Sequence, residues 1–177
     1  MICGRWNRTR ARWGAELPPS YRDRLRAEGL ALAVSAALAA VILLAVAAEA
    51  RGGVARTLIV AGVALLLVAW LGPRSVHLAL RHATQLFTPD LGSGVPRALW
   101  QLPVLVAVAT VLVAKLAGAA NGLRLDLILL LIGLCQAFVL ERIVAVNEGQ
   151  ARRRYFRVAG SRMFGATRLG YVQRRPR

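Results

Sequence analysis

Four stretches without an ionisable side chain do most to limit what this chain can fold into. Gly29 to Ala48 runs for 20 residues, Thr57 to Pro73 and Ala98 to Ala114 for 17 each, and Leu127 to Leu140 for 14. A helix climbs about 1.5 Å per residue and the hydrocarbon core is about 30 Å thick, so about 20 residues cross it. Backbone in lipid must satisfy its own hydrogen bonds, which leaves helices as the economical solution for runs of this length. The first run spans outright, and the second and third span with their flanking residues. The fourth is short enough to be a re-entrant or buried segment on length alone.

Charge decides the fourth run. The chain carries a formal net charge of +16 although 57% of its residues are hydrophobic, and the two properties are segregated along the sequence. Seven arginines precede the first run (Arg5 to Arg26) and three lie between the second and third (Arg74, Arg81, Arg97). Ten follow the fourth, from Arg142 to Arg177. Only Arg51, Arg56, Lys115 and Arg124 fall in the other two connections. Basic residues flanking spans stay in the cytoplasm, so 20 against 4 puts both termini inside. Three spans would strand the last ten arginines outside; four keep them in. The expected architecture is therefore an all-α integral membrane protein in the cell membrane. It is a four-helix bundle of two antiparallel hairpins, N-in and C-in.

The domains follow. Residues 1–28 are a basic cytoplasmic arm, 29–72 the first hairpin, 73–97 a cytoplasmic loop, 98–146 the second hairpin and 147–177 a basic cytoplasmic tail. A cleaved signal peptide ending near Ala45-Val46-Ala47 fits poorly, because the apolar run is too long and 28 residues precede it. Cys3 lies in the arm and Cys135 within a span, so no disulfide is expected.

Local signals refine this outline. Pro18-Pro19 and then Ser20-Tyr21-Arg22-Asp23 have the spacing of a capping box, which predicts a helix start at Ser20. Gly29, Ala33 and Ala37 form a small-residue face of the kind that lets helices approach closely in lipid. Glu49 to Gly53 reads as a tight outer turn joining spans one and two. From Val76, apolar residues recur at helical spacing to Phe87, with His77, Arg81 and Gln85 opposite. That segment is either an interfacial helix on the inner leaflet or a kinked extension of span two past Pro73. The tail from Asn147 has the composition of a disordered segment, following any extension of span four.

Spans three and four carry complementary charges. Arg97 and Lys115 are five turns apart, and Asp126 and Glu141 point within about 60° of each other at about 3.6 residues per turn. Folding the helices antiparallel sets Arg97 against Glu141 and Lys115 against Asp126, with Gly133 and Ala137 forming a close contact between them. This is an expectation of a charge-clamped hairpin.

Chemistry is sparse. His77 and His82 diverge by about 140° on a helix and make no metal or haem pair. Neither cofactor nor metal is expected. Gln101, Gln136 and Glu141 are the polar groups in or near the spans that a multi-copy pathway would use. Arg152, Arg153, Arg154, Tyr155, Phe156 and Arg157 form the densest basic and aromatic cluster, suited to an anionic inner leaflet or an acidic partner, and less to nucleic acid. The cytoplasmic loop holds His77, His82, Asp90 and Ser93, which match no catalytic motif. The leading expectation is a non-catalytic subunit or assembly component, whose partners are membrane lipids and other membrane-protein subunits or further copies of itself. An oligomeric channel or transporter is the alternative, and a membrane-bound enzyme using the cytoplasmic loop comes third.

Overall fold

A computed structural model describes residues 20–47, 54–85, 95–157 and 169–173, with side chains at all of these except 54, 55, 95–100 and 157. Four helices dominate. They are α1 (Tyr21–Val46), α2 (Val54–Arg81), α3 (Val95–Ala117) and α4 (Ala119–Ala151). Three strands follow the chain at one end: β1 (Thr84–Gln85), β2 (Arg153–Arg157) and β3 (Leu169–Gln173). Three of the helices are long and apolar enough to cross a membrane: Tyr21–Val46, Arg56–Arg81 and Ala119–Ala151. The fourth has a shorter apolar stretch, Gln101–Ala117, among the residues with described side chains.

The start of α1 follows its sequence signal. Ser20 Oγ accepts from the Asp23 amide at 3.2 Å, and the Asp23 carboxylate accepts from the Ser20 amide at 3.3 Å. This reciprocal cap satisfies two of the donors that a helix start leaves open. Alanine-rich sequence then carries α1 to Val46 without a break.

α2 resolves the ambiguity of the middle loop. It continues through Pro73 to Arg81 as one helix, so no separate interfacial helix forms, and Leu86 and Phe87 lie outside the described residues. Proline withholds one amide from the ladder, a loss tolerated in apolar helices, and side chains add bonds to neighbouring carbonyls. Ser75 Oγ donates to the Gly72 carbonyl at 2.8 Å, and Arg74 Nη1 donates to the Trp70 carbonyl at 2.9 Å. The Arg74 guanidinium also lies 4.1 Å from the centre of the Trp70 ring.

Gly118 alone connects α3 to α4. Its φ of 91° is a backbone state that L side chains seldom adopt, and the amides of Asn121 and Gly122 bond back to its carbonyl. The shortest of the apolar runs becomes the middle of the longest helix. Asp126 and Glu141, which bound that run, are both held by partners on other helices and do not end it. Within α4, Cys135–Leu140 form a π-helical turn.

Packing departs from two side-by-side hairpins. α4 is central: α1, α2 and α3 all pack on it, and α1 also packs on α3. α2 lies along α4 and shares scarcely any backbone approach with α1. The expected first hairpin therefore does not close as a packed pair. The chain from Ala47 to Val54 has seven steps and can reach about 25 Å, enough to pass two helix spacings of about 8–10 Å. α1 and α2 do meet through side chains at one end, where Leu25, Val76, Leu80, Val144, Tyr155 and Leu169 form a buried cluster. A second cluster, centred on Ala40 and Leu123, lies toward the opposite end.

Close approach of α1 and α4 depends on glycine. A Cβ at Gly29 would lie 2.7 Å from the Gly133 carbonyl oxygen and from the Ala137 amide nitrogen. A Cβ at Gly133 would lie 2.6 Å from the Gly29 carbonyl oxygen. The small residues expected to join spans three and four instead join α4 to α1.

The described parts of the tail are ordered. β2 runs antiparallel to β3, with Tyr155 opposite Tyr171, and β1 runs parallel to β3, with Thr84 opposite Gly170. The sheet order is β1-β3-β2, so Thr84–Gln85 after α2 and the described strands of the tail are built into one unit. The expectation of disorder rested on charge. It missed that Tyr155, Phe156 and Leu169 are 4%, 3% and 2% exposed, and that Tyr155 and Leu169 join the buried cluster with Leu25, Val76, Leu80 and Val144.

Candidate functional site

Two polar places stand out among the described residues: the sheet-bearing end and a buried carboxyl between α3 and α4. At the sheet-bearing end the start of α1, the end of α2 and the end of α4 converge on β2 and β3. The Arg22 guanidinium, one position into α1 from its first residue, pairs with Glu141 on α4. Asp23 pairs with Arg154 on β2 at 3.6 Å, and Arg24 lies 3.5 Å from Glu28 one turn on. Glu148 is 8% exposed and accepts the Tyr155 backbone amide at 3.0 Å, which fixes the strand to the last turn of α4. Between them Arg152 adopts a left-handed conformation (φ 50°, ψ 38°) and ends the helix. That geometry reverses the chain sharply enough for β2 to fold back.

The basic and aromatic cluster of the tail is thereby split. Tyr155 and Phe156 are buried within the protein, which corrects their expected role as residues available to lipid or partner. Arg153 lies over the Tyr171 ring at 4.3 Å, and Arg154 lies 5.9 Å from the Phe156 ring centre while also facing Asp23. Arg152 is exposed, and the Arg157 side chain lies outside the described residues. Arg26, Arg74, Arg81 and Arg142 are exposed as well, so the folded end presents arginines from three helices and a strand connection.

The charge clamp does not form as expected. Glu141 is taken by Arg22, and the Arg97 side chain lies outside the described residues. At the other end Asp126 is 0% exposed and accepts from the Thr110 hydroxyl at 2.5 Å; Lys115 is exposed and makes no ion pair with it. Turn length is the reason. With Gly118 alone between the helices, position 126 faces position 110, whereas facing 115 would require the turn to be centred beyond residue 120. The missed signal was Thr110, the sole hydroxyl in the apolar run Ala98 to Ala114.

The other candidates are separate. Gln101 is exposed and Gln136 half-buried in the π-helical turn, and neither makes a hydrogen bond among the described residues. With Glu141 paired to Arg22, the three do not make a continuous polar line. His77 and His82 are both exposed near the end of α2, while Asp90 and Ser93 lie outside the described residues. Among the described residues no group of three or more His, Cys, Asp or Glu side chains is placed to hold a metal ion.

Searches of protein-family models, curated proteins and solved structures found no match to this chain. Function must be argued from the two polar places themselves.

Proposed function

We propose that this chain is a four-span protein of the cell membrane, with both termini cytoplasmic, that acts as a non-catalytic subunit or assembly component of a larger membrane complex. The observation that carries this reading is the sheet-bearing end. Tail, loop and helix ends are joined there into one unit, and its outer arginines (Arg26, Arg74, Arg81, Arg142 and Arg152) remain exposed. A preorganised basic surface fixed to a bundle suits docking, because ordering costs are met before a partner arrives. Each arginine near an anionic leaflet contributes about 1 kcal/mol, so the same surface also holds the protein against lipid.

Helix length supports the fourth span. α3 has 23 residues, about 35 Å of rise against a core of about 30 Å. Exposed apolar side chains along the helices, among them Ile42, Leu66, Trp70, Val108 and Leu112, suit a lipid environment. The arginine distribution supports the inward termini.

Mild extraction at native expression level, followed by mass determination of the intact assembly, tests the reading. Stable recovery with other chains is expected. Recovery of this chain only as a monomer or homo-oligomer, at every detergent condition that preserves known complexes, would overturn the subunit assignment. One observation favours the alternative of an oligomeric transporter: Asp126, an acid inside the bundle with a single neutral partner.

A further inference from the structure

Arg56 and Arg74 fence the apolar part of α2, with 17 residues between them that carry no ionisable side chain. At about 1.5 Å per residue they are about 27 Å apart, close to the thickness of a hydrocarbon core. Arg74 therefore lies at the level of lipid headgroups, and Trp70, one turn deeper, at the boundary that indole rings favour. One face of α2 is committed to α4. A Cβ on Gly72 would lie 3.1 Å from Leu140 Cδ2, and Val76 and Leu80 join the buried cluster with Val144. At about 100° per residue, Arg74 and Arg81 point about 200° and 180° round from Gly72, two turns apart on the far side. Both are exposed, as is His77 between them. Toward the middle of the helix the exposed surface continues as Trp70, Leu66 and Val63.

The Arg74 guanidinium is already positioned. It donates Nη1 to the Trp70 carbonyl at 2.9 Å and lies 4.1 Å from the centre of that ring. One of its five N–H groups is used in this way, which leaves the rest of the fork for an oxyanion. No carboxylate of the protein takes that role. α2 contains no Asp or Glu, and among the described residues neither Arg74 nor Arg81 forms an ion pair.

An anionic amphiphile matches the stripe from end to end. Its phosphate meets Arg74, and its acyl chains lie against Trp70, Leu66 and Val63. Arg81 lies about 10 Å farther toward water, where the rest of the headgroup extends. A zwitterionic headgroup would bring its own cation toward Arg81 and be repelled. An acidic protein segment would satisfy the arginines and leave the apolar half of the stripe uncovered. We propose that this face of α2 binds an anionic phospholipid of the inner leaflet, its phosphate held by Arg74 and its headgroup by Arg81. The assignment rests on the cytoplasmic placement of the sheet-bearing end, and it is separate from the subunit role.

The chain has four tryptophans, so replacing Trp6, Trp13 and Trp100 by Phe leaves Trp70, inside the site, as the sole indole. This full-length protein is reconstituted in phosphatidylcholine vesicles that contain rising fractions of chain-brominated phosphatidylglycerol or chain-brominated phosphatidylcholine. Bromine quenches an indole that it touches, so Trp70 emission reports which lipid occupies the face. A preference for phosphatidylglycerol of about fivefold or more is expected, the effect of about one arginine at an anionic surface. Arg74→Gln with Arg81→Gln should bring that preference close to unity. Arg56→Gln with Lys115→Gln removes the same charge at the other end of the bundle and should keep most of it. Equal losses in the two double variants would mean attraction to net charge alone and would overturn the site. Equal quenching by the two lipids in the parent protein would also overturn it, a comparison that holds whether or not the arginine variants fold. Mass determination of the native assembly reads the subunit role independently, so the failure of one is distinguishable from the failure of the other.

Discussion

Glu141 illustrates how one residue can be read correctly and paired wrongly. Its position at the end of the fourth apolar run marks it as a helix-pairing acid, and the structure gives it Arg22 on α1 as partner, with side chains 46% and 12% exposed. A half-exposed pair of this kind has a coupling of about 0.5–1 kcal/mol. A double-mutant cycle on Arg22→Ala and Glu141→Ala, read by thermal or denaturant unfolding in detergent, should return that coupling; a value indistinguishable from zero would remove the pair. Glycines give a sharper contrast at the same scale. A Cβ on Gly133 would strike the backbone of α1, whereas nothing lies within 4 Å of one on Gly62 in α2. Gly133→Ala should therefore destabilise by about 1–3 kcal/mol as α1 is pushed away. Gly62→Ala should be neutral or stabilise by up to about 1 kcal/mol through helix propensity. Equal responses to the two substitutions would mean that α1 and α4 do not touch at this point.

Between elements, the sequence was informative about where helices begin and silent about which of them pack together. Ser20 and Asp23 announced the start of α1 because a capping box is local chemistry, complete within four residues. The runs without charge announced the helices for the same reason. Packing is different, since lipid-facing and helix-facing apolar side chains share a composition. Gly29 and Gly133 could each be recognised as small, but not as each other's partner. Register failed at one residue: a turn made by Gly118 alone, possible because glycine tolerates φ of 91°, moved the partner of Asp126 from Lys115 to Thr110. The tail was misjudged through composition. Arginines dominate 147–177, yet Tyr155, Phe156 and Leu169 suffice to bury a small sheet once Asp23 and Glu148 are brought to it. The central place of α4 is the consequence most open to test. In a background with the native cysteines replaced, Ala40→Cys with Leu123→Cys should form a disulfide across α1 and α4, because both residues belong to one buried cluster. Ala40→Cys with Ala61→Cys, the pair that a closed first hairpin would bring together, should not. The reverse pattern would restore two side-by-side hairpins.

For the molecule as a whole, the deciding question is which end of the bundle faces the cytoplasm. The helices alternate in direction, so the start of α1 and the ends of α2 and α4 share the sheet-bearing end, while Gly118 lies at the other. If all four helices cross, the sheet and its arginines lie in the cytoplasm and the Gly118 turn lies outside, in accord with the positive-inside rule. If the whole bundle is instead inverted, the Gly118 turn lies inside and the sheet lies outside with the start of α1 and the end of α2. The two arrangements predict opposite labelling of two exposed positions, Ala117 beside the turn and Gln150 in the last turn of α4. In intact cells expressing cysteine variants at native level, a membrane-impermeant thiol reagent should modify Ala117→Cys from outside and reach Gln150→Cys only after permeabilisation. The opposite result would invert the bundle and place the folded basic end outside, away from the anionic leaflet. That outcome would also remove the main support for the docking role, since the arginines would then face neither cytoplasmic partners nor the lipid that attracts them. Four crossings accommodate both the lengths of the helices and the charges of the ends. A helix of 23 residues has no need to lie along the surface when it can cross, and α3, apolar from Ala98 to Ala114, gains more in hydrocarbon than at an interface.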